Sequence, residues 1–316
     1  MGVIRFHDFY KQSFDIRKEV FAGLRAEPKH LSPKFFYDQK GSALFEQITQ
    51  LPEYYLTRCE LAILEEKGDE IVAALGTGGL LVEIGSGSGR KTRLLLDGMH
   101  PRIYMPMDIS REFLLQSAEA LAEQIPTLEI DAVLIDFSQD WQLPTFPAGL
   151  RPVAYYSGSS IGNFDPESAI SLLRKIQCAV AAGGGLLIAT DLQKPADFLE
   201  AAYDDAQGVT AEFNRNILAH INERLKADFD PSAFVHKATY NHDEGRIEMH
   251  LRSQIQQTVE VAGERFVFRK DELLHTENCY KYTVEGFQEL ARAAGFTPVH
   301  TWFDTRRFFC LHYLVA

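Results

Sequence analysis

From Gly79 onward, short apolar runs alternate with stretches whose apolar residues recur at helical spacing. Leu80–Ile84 leads through a glycine-rich turn into the amphipathic KTRLLLDGM, and RIYMPMD (Arg102–Asp108) precedes a helical stretch from Ser110. IDAVLIDF (Ile130–Phe137) and VAYYSGSSIGNF (Val153–Phe164) follow, then a helix over Pro166–Ala182 that Gly183-Gly184-Gly185 ends, and the apolar LLIATDL. Strands alternating with helices predict a parallel sheet with right-handed crossovers. After Asp191 the alternation weakens. Asp197 to about Leu225 reads as helix, and Lys237 to Gln256 with the following QTVEVAGERFVFR reads as antiparallel strands around a Gly-containing turn. EGFQELARAAG and two closing strands, PVHTWFDT and RFFCLHYLVA, complete the chain. The expected fold class is therefore α/β: a Rossmann-like core from 77–193 plus 281–316, with a second, smaller α+β lobe from 1–60 plus 194–280.

The N-terminal part is polar and aromatic with helical periodicity, and Ser32–Arg58 is rich in Tyr and Phe. Most of these rings are expected to pack on a core. Tyr54-Tyr55 suggests a lid or pocket wall, because a buried phenol needs a partner for its hydroxyl.

Composition narrows the function classes. The 316 residues carry a formal charge of −12, spread along the chain, which repels a phosphate backbone and makes nucleic acid a poor partner. The four cysteines form no CxxC pair, so neither a zinc site nor a redox motif is expected, and no metal is assigned. No stretch reaches the ~18 apolar residues of a membrane span, and the N-terminus lacks a basic segment before an apolar run. A reducing cytoplasm is the expected compartment.

The chemistry begins at Gly85-Ser86-Gly87-Ser88-Gly89, between a strand and a helix, where absent β-carbons let a ligand lie against the backbone. The spacing GxGxG with Glu83 before it, rather than GxGxxG, favours S-adenosylmethionine over a dinucleotide. Asp108 at the end of the next strand suits the two ribose hydroxyls. Asp136 and Phe137 offer a carboxylate for the adenine amino group and a ring beside the base. Asn163, after the fourth strand, is expected to line the methyl-transfer site, since ligands of doubly wound sheets lie at the carboxyl ends of the strands.

With these segments in order, and with FYDQKGSALFEQITQLPEYYLTR, AYDDAQGVTAEFNRN, RIEMHLRS and HTENCYKYT beside them, the chain resembles the ergothioneine-pathway histidine Nα-methyltransferases over nearly its whole length. The resemblance implies a class I methyltransferase core with a substrate-binding lobe, a free amino acid as substrate and S-adenosylmethionine as methyl donor. It implies that Tyr54, Gly85, Lys91, Asp108, Asp136 and Phe137 contact the cofactor. Tyr37, Phe45 and Asn163 then surround the substrate amino group, with Tyr37 and Asn163 as the catalytic pair, and Asn163 and Tyr203 hold the carboxylate. Met249, Glu277 and Cys279 fall in the side-chain pocket, where a member of that family has a serine in place of Cys279. The implied product is the trimethylated betaine, hercynine, and a sulfoxide synthase is the implied partner in the pathway. The competing expectation is the same chemistry on another free amino acid or small amine such as tryptophan, decided by the pocket around Met249, Glu277 and Cys279.

Overall fold

A computed structural model describes residues 3–9, 16–86, 89–136 and 141–316. Along the chain lie β1 (Ile4–Asp8), α1 (Ile16–Arg25), α2 (Gln39–Ile48), α3 (Tyr55–Leu75), β2 (Leu80–Ile84), α4 (Arg90–Met99), β3 (Ile103–Asp108), α5 (Arg111–Gln124) and β4 (Glu129–Leu134). There follow β5 (Pro152–Tyr156), α6 (Pro166–Val180), β6 (Gly185–Asp191), α7 (Ala196–Tyr203) and α8 (Val209–Leu225). The rest comprises β7 (Phe234–Asn241), β8 (Arg246–Ser253), β9 (Gln257–Val261), β10 (Glu264–Phe268), β11 (Leu273–Tyr280), α9 (Val284–Ala293), β12 (Thr297–Phe303) and β13 (Phe309–Val315). Two compact units divide these elements: residues 1–11, 56–193 and 281–316 form the first, and 12–55 with 194–280 form the second.

The first unit holds a sheet in the order β1-β4-β3-β2-β5-β6-β13-β12, in which neighbours from β1 through β6 run parallel and β13 and β12 are antiparallel. Every residue of β2, β5 and β6 is buried. Parallel strands covered on both faces read as unbroken apolar runs for this reason. From β2 the chain moves outward to β3 and β4, then crosses to β5 on the other side, so the strand order reverses between β2 and β5. Local chemistry sets the helix ends: the Asp165 carboxylate accepts from the Ser168 N–H at 2.9 Å, Pro166 occupies the first turn of α6, and Gly183 with φ +85° lies beyond its end.

Two expectations are corrected here. Residues 1–60 do not all belong with the lobe: β1 pairs with β4 from Ile4↔Ile130 to Asp8↔Leu134, and α3 joins the first unit from Leu56. Arg5 ties this short edge strand to Asp131 at 2.5 Å and Glu129 at 2.8 Å. The helix expected over 197–225 is two helices. Gly208, at φ +75°, breaks it, and the Asp205 carboxylate accepts from the N–H groups of Val209 and Thr210 at 3.0 and 2.7 Å, capping α8.

The second unit is built on an antiparallel sheet in the order β11-β8-β7 and a hairpin of β9 and β10. β8 alternates between half-buried and buried along its whole length, the signature of a sheet packed on one face only. Its buried face, Ile247, Met249 and Leu251, meets α7 and α8.

Candidate active site

Within the first unit, the residues expected at the cofactor stand along the carboxyl edge of the parallel strands. Gly85 follows β2 with φ +72°, and nothing lies within 4 Å of where its Cβ would be. A side chain there would be strained in the left-handed region and would fill the space beside the loop. Ser86 is buried, and its hydroxyl has no partner among the described residues. Asp108 ends β3 half-buried, with Oδ1 accepting from the Ser110 N–H at 2.9 Å. Asp136 is buried just past β4, and Asn163 lies half-buried in the short turn Ser160–Asn163 that follows β5. Gly87, Ser88 and Phe137 lie outside the described residues. An open glycine cradle, an orphaned buried hydroxyl and two carboxylates on adjacent strand ends fit the backbone contacts, ribose diol and adenine amine of S-adenosylmethionine.

Lys91, in the first turn of α4, places its Nζ 2.6 Å from Glu60 Oε2. Glu60, on α3, is wholly buried and also accepts from the Tyr155 hydroxyl at 2.7 Å and the Gly158 N–H at 2.9 Å. Three donors around one buried carboxylate satisfy both oxygens, which offsets the cost of burying it. The segment from Gly158 to Asn163 is secured further along: Ser159 Oγ accepts from the Asp191 N–H at 2.8 Å, and the Ile161 carbonyl accepts from the Tyr282 hydroxyl at 3.4 Å. Behind the glycine loop, Glu83 is buried on β2 and accepts from the hydroxyls of Thr92 and Tyr104. Burial pushes its carboxyl up to about 7, against the lowering pull of those two hydroxyls and of Lys91.

The second unit gathers the residues expected around the substrate. Tyr37 and Phe45 meet edge to face with centroids 5.9 Å apart, Phe45 and Tyr54 at 6.2 Å, and Tyr54 and Tyr203 at 6.2 Å. Phe213 on α8 supports the row, 5.9 Å from Tyr37, 6.0 Å from Phe45 and stacked on Phe36 at 4.6 Å. Tyr54, expected at the cofactor, thus belongs to this aromatic row. The Tyr203 hydroxyl reaches Cys279 Sγ at 2.9 Å.

A β-bulge assembles the expected side-chain pocket. β11 pairs with β8 as Leu274↔Leu251, Glu277↔Met249 and Cys279↔Ile247, with the register slipping between His275 and Glu277. Directly opposed residues of an antiparallel pair share a face, and the extra residue shifts the phase of the strand. The slip is what lets Leu274, Glu277 and Cys279, at an odd spacing, all join Met249 on the buried face; without it Glu277 would turn to the opposite side. Thr276 Oγ1 donates to the Met249 carbonyl at 3.0 Å and fixes the slip. Glu277 is 7% exposed and shares this face with the apolar Met249, Ile247 and Leu251.

Sequence reasoning missed three residues of this architecture. Glu60 and Phe213 are described above. The third, His236 on β7, lies between the Tyr203 carbonyl, 2.7 Å from Nε2, and Asn214 Nδ2, 2.8 Å from Nδ1. A carbonyl only accepts, so Nε2 carries the proton and Nδ1 accepts from Asn214. Burial lowers the pKa of this imidazole and keeps it neutral, which is the state this chain of hydrogen bonds requires.

The family model of histidine-specific, S-adenosylmethionine-dependent methyltransferases matches residues 16–316. The chain is 44% identical over 295 residues to histidine N-alpha-methyltransferase of Mycolicibacterium smegmatis, covering 92% of this chain and 91% of that one. It is 41% identical over 295 residues to the protein of the same name from Mycobacterium tuberculosis, with the same coverage. Against ergothioneine biosynthesis protein 1 of Schizosaccharomyces pombe the identity is 30% over 288 residues, covering 87% of this chain and 37% of the longer relative. A family model that spans residues 16–316, with relatives 44% and 41% identical over most of both chains, leads to one conclusion: the chain belongs to the family of histidine-specific, S-adenosylmethionine-dependent methyltransferases.

Proposed function

We propose that the chain methylates the α-amino group of free L-histidine with S-adenosylmethionine, through three successive transfers to hercynine. The observation that carries this reading is Glu277: a buried carboxylate brought by a bulge onto the same sheet face as Met249 and Cys279 suits an imidazole N–H and penalises an apolar side chain. S-adenosylmethionine, held by Gly85, Lys91, Asp108 and Asp136, supplies an electrophilic methyl group on a sulfonium.

The chain's own part is to bind, orient and deprotonate. Asn163 and Tyr203 take the substrate carboxylate. Tyr37 and Asn163 accept hydrogen bonds from the α-ammonium, with Phe45 enclosing it, and the proton leaves to Tyr37 or to water before the lone pair aligns for attack. The four cysteines are free thiols, which suits work in the cytoplasm, and no helix among the described residues is long and apolar enough to cross a membrane. A sulfoxide synthase acting on the betaine is the partner this reading implies.

The test is a panel of free amino acids incubated with the enzyme and S-adenosylmethionine, read by mass spectrometry for gains of one, two and three methyl groups. Histidine carried to the trimethylated product supports the reading. Preferential methylation of tryptophan, or of none of the amino acids, refutes it.

A further inference from the structure

Strand order reverses between β2 and β5, and in doubly wound sheets the ligand crevice opens at such a reversal. The loop after β2 leads to Lys91, and the loop after β5 leads to Asn163. One atom joins the two loops: Glu60 Oε2 accepts from Lys91 Nζ at 2.6 Å and from the Gly158 N–H at 2.9 Å, while Oε1 accepts from Tyr155, itself on β5, at 2.7 Å. Glu60 is 0% exposed, so these three partners stand in for the water its carboxylate has lost.

The β5 loop needs such an anchor. Gly158 and Ser159 are consecutive left-handed residues, φ +73° and +59°, and a non-glycine residue in that region costs conformational energy that the surroundings must offset. A Cβ at Gly158 would lie 3.6 Å from Lys91 Nζ, so the ammonium packs directly on this bend. With Gly158 held by Glu60, Ser159 by Asp191 and Ile161 by Tyr282, the backbone is fixed at successive points up to Asn163.

We propose that Glu60 is a positioning residue for methyl transfer, one carboxylate that sets the place of the cofactor-side Lys91 and of the substrate-side Asn163 loop together. The inference rests on the assignment of Lys91 to the cofactor and Asn163 to the substrate. Glu60→Gln keeps the shape but offers one oxygen to three donors, so one loop is released when the other is held.

Two double-mutant cycles in the full-length protein test it. The first reads the dissociation constant of S-adenosylhomocysteine by calorimetry for the parent, E60Q, K91M and E60Q/K91M. The second reads kcat and KM for histidine in the parent, E60Q, N163A and E60Q/N163A. Glu60→Gln should weaken S-adenosylhomocysteine about tenfold and lower kcat about ten- to a hundredfold, as a small misplacement of reacting groups does, with KM for histidine changing much less. In the K91M background the loss of affinity should shrink, and in the N163A background the loss of kcat should shrink, because the route of action is already cut. Effects that add fully in both cycles overturn the proposal and leave Glu60 a purely structural acid. If E60Q does not fold, Glu60→Asp, which keeps the charge but is one methylene too short to span Lys91 and Gly158, is carried through the same cycles. A parent that binds S-adenosylhomocysteine but does not turn over histidine refutes the substrate reading, and the calorimetric cycle then decides the role of Glu60 by itself.

Discussion

Glu83→Gln should make the protein's stability respond differently to pH, by an amount that follows from the position of this one carboxyl. Burial on β2 raises its pKa from 4.5 to about 7, so the folded protein binds a proton there that the unfolded chain has released. Where the native state binds more protons, stability falls as pH rises. The stabilising effect of the bound proton is fully present below about pH 4.5 and is lost as pH climbs through about 7. At about 1.4 kcal/mol for each pH unit between 4.5 and about 7, the effect is worth about 3 kcal/mol, of which most falls between pH 5 and 8.5. His250 and His312 work in the opposite sense: burial lowers each to about 4, so both favour folding as pH rises from there toward 6.5. Both are present in parent and variant alike and cancel in the difference. Urea unfolding at half-unit steps from pH 5 to 8.5 should therefore show the variant gaining on the parent by about 2 to 3 kcal/mol as pH increases. A difference that stays flat over that range means that Glu83 does not change its protonation there, and refutes the reasoning.

Three further outcomes are expected. Asp108→Ala should weaken S-adenosylhomocysteine by about 2 to 4 kcal/mol in calorimetry, the worth of two charge-assisted hydrogen bonds to a ribose diol. Glu277→Ala should lower kcat/KM for histidine at least about tenfold and spare cofactor affinity, with the lost preference for histidine over phenylalanine read by competition. Lys281→Met should cost about 3 to 5 kcal/mol in denaturant unfolding, because it removes the ammonium 3.0 Å from the Asp191 carboxylate, and both side chains are 0% exposed; Asp191→Asn in the same chain should restore part of that loss.

The parts of the fold legible in the sequence are those in which one physical requirement acts over several consecutive residues. β2, β5 and β6 are buried on both faces, and their largely apolar runs stand out for that reason. β1 has only five residues, IRFHD, at the sheet edge, and its polar positions are held by partners such as Asp131, more than a hundred residues away, so nothing local marks it as part of the large sheet. The break between α7 and α8 was written in local chemistry, Asp205 three residues before Gly208, yet helical periodicity on both sides masks it. The bulge at Thr276 leaves no mark in composition. The pocket trio of Met249, Glu277 and Cys279 could be reached only by resemblance, because their common face depends on a register that spacing does not encode.

Glu60 was missed for a different reason, and the signal for it was present. In α3, Leu56, Glu60, Ile63 and Leu64 fall at spacings of four, three and one, and all four are buried, so the glutamate stands inside the apolar stripe rather than opposite it. An ionisable group in such a position would destabilise the fold unless donors from elsewhere converge on it. Its presence therefore implies partners before any coordinates are known. The same rule applies to Glu83 within LLVEI and Asp191 at the end of LLIATD, each an acid in a largely apolar strand and each buried. Glu83 collects Thr92 and Tyr104, Asp191 collects Lys281, and Glu60 collects Lys91, Tyr155 and Gly158. These acids stand behind the strand ends that carry the candidate site, where a fixed geometry offsets the cost of burying a polar group.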